Sequence, residues 1–200
     1  LEAVYGAVAV DWLEGDGDLS HEAFFLSTIL ADLAPSHAEA LGLTALIGFI
    51  EARREARVQD GVLVPVPEQD TTLWDRPLIG RSTDLLTRAS RLGQMGRYQI
   101  EAAIQAVHVD RADTGRTDWR ALSQLYAGLV ALHPTIGAAV SRAAAVAEDA
   151  GPAQGLRLLD LIVSDSLDSY QPFHAVRAHC LAALGRTAEA AEAYARGARY

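Results

Sequence analysis

Between Glu68 and Arg76 the chain reads Glu-Gln-Asp-Thr-Thr-Leu-Trp-Asp-Arg, with carboxylates, an amide, a guanidinium and an indole inside nine residues. Such a group builds either a hydrogen-bonded local structure or a recognition surface. Trp74 is followed by Asp75, and Trp119 is preceded by Asp118. Each pair falls where a helix is expected to begin. The aspartates therefore suit capping, and the indoles suit wedging between helices, each with one N–H that needs a partner when buried. The functional alternative is a groove lined by Trp74, Tyr98 and Trp119 with arginine and aspartate at its rim. Gln69, Asp70, Arg76, Gln99 and His108 complete the contact candidates around it.

Other constellations are weaker. Arg53 and Arg54, in Arg-Arg-Glu-Ala-Arg57, could bind phosphate, but they end a long helix, where cations favour the negative pole of the dipole. Pairing with Asp70 or Asp75 is the expectation there. Asp11 to Glu22 starts and ends like a calcium loop, yet Leu13 and Gly15 offer no side-chain oxygen and Asp16 stands where glycine is needed. His174 and His179 are five apart, not on one helix face, so neither they nor any other histidines make a zinc pair. Cys180 lies among alanines and leucines, where burial makes a thiol inert. No Gly-x-Ser-x-Gly, Walker or dinucleotide fingerprint is present. The expectation is no enzyme, no metal and no cofactor.

The elements that must position these residues are helical. Helices are expected over 3–13, from a Ser20 cap to Ala34, and from a Ser36/Glu39 capping box to Arg57. Val62 to Val66 reads as an extended arm or one hairpin strand, and Pro77 as a first-turn residue of the next helix. From 98 onward the pattern becomes helix pairs: 98–109 with 117–132, 136–149 with 152–163, and 172–184 with 187–199. Gly185 is expected to close one helix and Thr187 to cap the next. Ala139-Val140 recurs as Ala175-Val176, near the repeat length of tetratricopeptide pairs, and small residues at Ala178, Ala182, Ala190 and Ala191 allow close approach. The fold class is therefore an all-α, helical-hairpin, tetratricopeptide-like solenoid. It is expected to form one domain over 1–200, irregular over 1–95 and repeat-like over 96–200.

The net charge of −9 argues against direct nucleic-acid contact, and every Lys-or-Arg position is arginine. No apolar run is long enough for a bilayer and no basic stretch leads the N-terminus. The lone Cys180 excludes an internal disulfide framework and suits a reducing cytoplasm. The sole methionine is Met95, so Leu1 is expected to be a boundary within a longer polypeptide.

The chain resembles the C-terminal extension of a group of extracytoplasmic-function sigma factors of RNA polymerase. The residues that carry this are Ala52 to Arg57, Gln69-Asp70, Leu73 to Arg76, Tyr98-Gln99 with Ala102 to Ile104 and His108, Thr117 to Trp119 with Leu125-Tyr126, Ala143 to Glu148 with Gly151-Pro152, and Leu184 to Arg186. The resemblance covers nearly the whole chain. It departs in the first helix, where Ala9-Val10-Asp11-Trp12 replaces the family's Asn-Glu-Gly-Tyr, and at Thr71-Thr72, which replaces Arg-Ser. It implies a regulatory domain in transcription initiation, with the promoter-binding regions preceding Leu1. Partners are then those regions in cis, RNA polymerase through them, and a small YCII-related protein. The alternatives are a small-molecule sensor or enzyme with a pocket near Trp74, Tyr98, Gln99, His108 and Trp119, and a stand-alone helical scaffold.

Overall fold

The computed structural model describes residues 1–14 and 18–199, without the side chains of residues 10–14 and 18. The calcium-loop reading of Asp11 to Glu22, and most of the departure at Ala9 to Trp12, therefore fall outside the described side chains. The described chain is all-α apart from one small hairpin. In order it forms α1 (Glu2–Glu14), α2 (Asp18–Leu33), α3 (Ala38–Glu51), β1 (Val58–Gln59), β2 (Val62–Leu63), α4 (Arg76–Arg91), α5 (Arg97–Val109) and the short α6 (Arg111–Thr114). Then follow α7 (Trp119–Leu132), α8 (Ile136–Ala150), α9 (Pro152–Asp160), α10 (Gln171–Ala183) and α11 (Thr187–Gly197). The chain divides into two compact units, Leu1–Thr117 and Asp118–Tyr200.

In the first unit α3 is the central post. Ala38 and every residue from Ala40 to Phe49 are buried, as expected for a helix that is apolar on all sides and covered by neighbours. It packs against α2, α4 and α5. Its N-cap is His37, whose ring accepts from Ala40 N, not Ser36. Glu39, the expected capping-box partner, reaches elsewhere. The helix stops at Glu51 and a 3-10 turn carries the chain through Ala56, six residues short of the expected helical end at Arg57. The antiparallel hairpin pairs Val58 with Leu63 and Gln59 with Val62. Asp60 and Gly61 turn it at φ 53° and 79°, which is Asp-Gly turn chemistry.

One helix has an inverted pattern. The face of α2 that meets its neighbours carries small buried side chains, Ser20, Ala23, Ser27 and Ala31, together with the half-buried Phe24, which packs on the core. Thr44 on α3 donates to the Ser27 carbonyl at 2.8 Å. The large apolar side chains Leu19, Phe25, Leu26, Ile29 and Leu33 face outward, Phe25 at 62% and Leu33 at 79% exposure.

In the second unit consecutive helices are neighbours: α7 with α8, α8 with α9, α9 with α10, and α10 with α11. Its core mixes Val140, Leu156, Leu159 and Leu181 with Ala143, Ala147, Ala178 and Ala190. Asp118 caps α7 through Ala121 N at 2.9 Å, and Thr135 caps α8 through Ala138 N at 3.1 Å. Gly185 closes α10 with φ 74°. The residue before α11 is Arg186 with no side-chain cap, and Thr187 is already helical. The expected partners 98–109 and 117–132 fall in different units. Helix α5 packs on α3 and α4, whereas α7 packs on α8.

Among the described residues no helix is long and apolar enough to cross a membrane, and no three His, Cys, Asp or Glu side chains converge as a metal site would need. His174 Nε2 lies 2.9 Å from the Asp168 carbonyl, and His179 Nε2 lies 3.0 Å from Glu148. Cys180 is buried, and burial followed by the Glu148 charge raises its thiol pKa.

Candidate functional site

The Glu68–Arg76 segment is a run of interlocked turns. Gln69 is 4% exposed and its Nε2 donates to the Val64 carbonyl at 3.1 Å. Asp70 is exposed. Its Oδ1 accepts from Thr72 N and Thr72 Oγ1 at 2.9 and 2.7 Å, which caps the short 3-10 turn and lowers the carboxyl pKa. Asp75 N donates to the Ala52 carbonyl at 2.8 Å, and its carboxylate accepts from Leu78 N at 2.9 Å to cap α4. Pro77 sits in the first turn of α4, where no N–H is needed. Arg76 pairs with Asp113 at 2.7 Å and donates to the Ala112 carbonyl. Asp70 and Asp75 are both engaged as caps, and Arg54 pairs with Glu51 at 2.9 Å.

Trp74 lies between these caps, 3% exposed, in the core that includes Phe49, Ala56 and Val109. The Arg111 guanidinium lies 5.2 Å from the centre of its ring. The same guanidinium donates to the carbonyls of Val66 and Gln69 at 3.0 and 2.7 Å. Arg111 therefore clamps the turn ahead of Trp74 while covering the indole, a cation–π geometry.

Arg53 is buried beside this clamp. Its Nε donates to the Phe49 carbonyl at 3.2 Å, closing the end of α3, and its Nη2 donates to Gln105 Oε1. Gln105, His108 and Arg111 follow at three-residue spacing and share one face of the α5–α6 turn. Burial, then repulsion from Arg57 and Arg111, pushes Arg53 down to about 10. Burial, then the charges of Arg53 and Arg111, pushes His108 down to about 4. His108 is thus neutral in the folded state at pH 7 and titrates near 6.5 when unfolded. Between those values the unfolded chain binds the extra proton, so stability rises with pH. Acidification from pH 7 to pH 4 should cost up to about 3 kcal/mol through this group. His108→Gln should flatten that slope in urea titrations repeated across the range.

Tyr98 and Gln99 belong to the other end of α5, roughly 15 Å from His108 at 1.5 Å per residue. Their backbone N–H groups donate to the Glu39 carboxylate at 2.9 and 3.1 Å. The Tyr98 ring lies 5.4 Å from that of Tyr5, and the Arg97 guanidinium covers both rings. Burial, then Glu2, raises the Tyr98 pKa. Asp118 and Trp119 belong to the second unit.

The structure therefore gathers Arg53, Gln69, Trp74 and His108 at one end of α5, and sets Tyr98 and Gln99 at the other. Arg111, Gln105 and Glu39 were absent from the sequence candidates. The spacing of Gln105, His108 and Arg111 was the available signal for the first two.

Residues 1–90 match the model of a family of unknown function, DUF6596. Over 193 residues the chain is 36% identical to the Uncharacterized protein R00370 of Rhizobium meliloti (strain 1021). That alignment takes in 96% of this chain and 45% of the relative, so the chain spans less than half the length of the protein it matches. No solved structure matches the chain.

Proposed function

We propose that this chain is the regulatory C-terminal part of an alternative sigma factor of RNA polymerase, acting through protein–protein contacts in transcription initiation and turning over no substrate. The observation that carries a contact role is α2. Helices of a water-exposed monomer normally turn large apolar residues inward, whereas α2 turns Leu19, Phe25, Leu26, Ile29 and Leu33 outward, the kind of contiguous apolar surface that marks a binding face. The sigma-factor assignment itself rests on the motif series from Ala52 to Arg186.

Two further facts support the reading. The relative is more than twice as long as this chain, which leaves room in it for promoter-binding regions. The net charge of −9 complements basic, DNA-binding surfaces. Under this proposal the second unit stacks its hairpins in the tetratricopeptide manner. The partners are the promoter-binding regions in cis, RNA polymerase through them, and a small YCII-related protein in trans. The setting is the cytoplasm, and the domain makes no direct nucleic-acid contact.

The test is co-purification of this chain with the promoter-binding part of its own gene product, using Leu26→Asp and Leu33→Asp. These positions are exposed, so the variants should fold with unchanged far-ultraviolet circular dichroism while losing at least tenfold in affinity. Trp74→Ala and Asp75→Ala are unsuitable probes of contact, because the indole is core and the carboxylate is a cap. Undiminished binding by the α2 variants, or a gene with no sigma regions, would refute the proposal. A small-molecule-sensing role finds its support in the unpartnered polar atoms around Trp74.

A further inference from the structure

Buried polar atoms are nearly always hydrogen-bonded, and those that are not call for a missing water or ion. In the first unit, besides Tyr98 Oη at the far end of α5, Gln69 Oε1, Trp74 Nε1, His108 Nδ1 and Arg111 Nε are buried without a partner, and these four lie together. They are not scattered. Arg111 covers the Trp74 ring and donates to the Gln69 carbonyl, and His108 lies one turn before Arg111 on the same face. Arg53 reaches the same face through Gln105. Among the described residues no carboxylate lies within ion-pairing distance of Arg53 or Arg111. Two guanidinium groups sharing a partly dry site without a counter-charge is costly.

The unpartnered atoms state what would relieve that cost. The indole N–H and the Arg111 Nε–H can only donate, the imidazole can do either, and the Gln69 oxygen can only accept. A single water satisfies some of these but brings no charge. A ligand with anionic oxygens and one hydroxyl satisfies the donors, the acceptor and the charge together. We propose that the end of α5, where Arg53, Gln69, Trp74, His108 and Arg111 meet, is a binding site for a small hydroxyl-bearing oxyanion of the phosphate class. It stands on these contacts alone and holds whether or not the chain serves a sigma factor. The anion would also draw a proton onto His108, because a negative neighbour favours the imidazolium.

The experiment titrates the 200-residue chain with inorganic phosphate, sulfate or chloride at constant ionic strength, by calorimetry and by thermal melting at pH 7.5 and 6.0. Phosphate should bind saturably and raise the melting temperature. It should bind at least tenfold more tightly than sulfate, which has no hydroxyl for Gln69 at these pH values, and should draw proton uptake onto the protein that His108→Gln abolishes. Trp74→Phe keeps a ring in the core and removes the N–H donor together with part of the indole's bulk. It and His108→Gln should each weaken phosphate at least tenfold while keeping the native far-ultraviolet circular dichroism and a cooperative melt in chloride. Absence of saturable phosphate binding, equal affinity for sulfate, or full affinity in both variants would overturn the proposal. If one variant fails to fold, the other decides the outcome.

Discussion

Trp74→Ala should destabilise the first unit by about 3–5 kcal/mol, the usual cost of deleting a fully buried large aromatic. The indole is 3% exposed and shares a core with Phe49, Ala56 and Val109. Its loss opens a cavity and also removes the surface on which the Arg111 guanidinium lies, a contact worth about 0.5–2 kcal/mol by itself. Arg111 in turn holds the carbonyls of Val66 and Gln69, so the turn ahead of α4 loses its clamp. Most single domains have only about 5–15 kcal/mol in total, and this substitution therefore removes a large fraction of it. Urea unfolding followed by far-ultraviolet circular dichroism would show the shift. Trp74→Phe should recover most of the loss. A cost below about 1 kcal/mol for the alanine variant would be incompatible with an indole at the centre of this core.

Glu39→Gln should cost about 2–3 kcal/mol although it removes no bulk. The Glu39 carboxylate leaves the first turn of α3 and closes the start of α5. It accepts from Tyr98 N at 2.9 Å, Gln99 N at 3.1 Å and Gln99 Nε2 at 3.2 Å. These are charge-assisted bonds to N–H groups that a helix start leaves open, and the negative charge also meets the positive end of the α5 dipole. Glutamine replaces one accepting oxygen with an amide that faces another N–H, which leaves a donor unsatisfied. Gly96 makes room for the arrangement, since a Cβ there would lie 2.2 Å from Glu39 Cδ. Hydrogen exchange at the Tyr98 and Gln99 amides is the direct readout. Protection should drop in Glu39→Gln by more than elsewhere in the first unit, and uniform protection across α5 would contradict the cap.

Local chemistry was sufficient for much of this protein. Helical periodicity, Pro77 after Asp75, Asp118 before Trp119 and Gly185 each act within a few residues, so the all-α character and most helix positions were legible in the sequence. The strand expected over Val62 to Val66 is present only at Val62–Leu63, and its partner strand and the Asp60-Gly61 turn, although decided by local backbone angles, were not singled out. Asp75 as a cap also needs only its neighbours. Sequence and structure part where a local and a distant partner compete. Ser36 and Glu39 have capping-box spacing, yet His37 caps α3 and Glu39 serves α5, 59 residues away. Within the first unit α5 packs chiefly on α3, two helices back in sequence, whose apolar surface on all sides needs cover.

The candidate site divides along the same line. Arg53, Gln69, Trp74 and His108 could be singled out by residue type, but their meeting, and the separation of Tyr98 and Gln99 from them, depend on how α3, the turns and α5 pack. In sequence Arg111 is a lone arginine after a helix, which is ordinary. Its part as clamp exists only once the Val66 and Gln69 carbonyls are brought to it from more than 40 residues away. Short-range backbone preferences determined the helices. Long-range burial, which must satisfy every polar group it encloses, decided which charges ended up together.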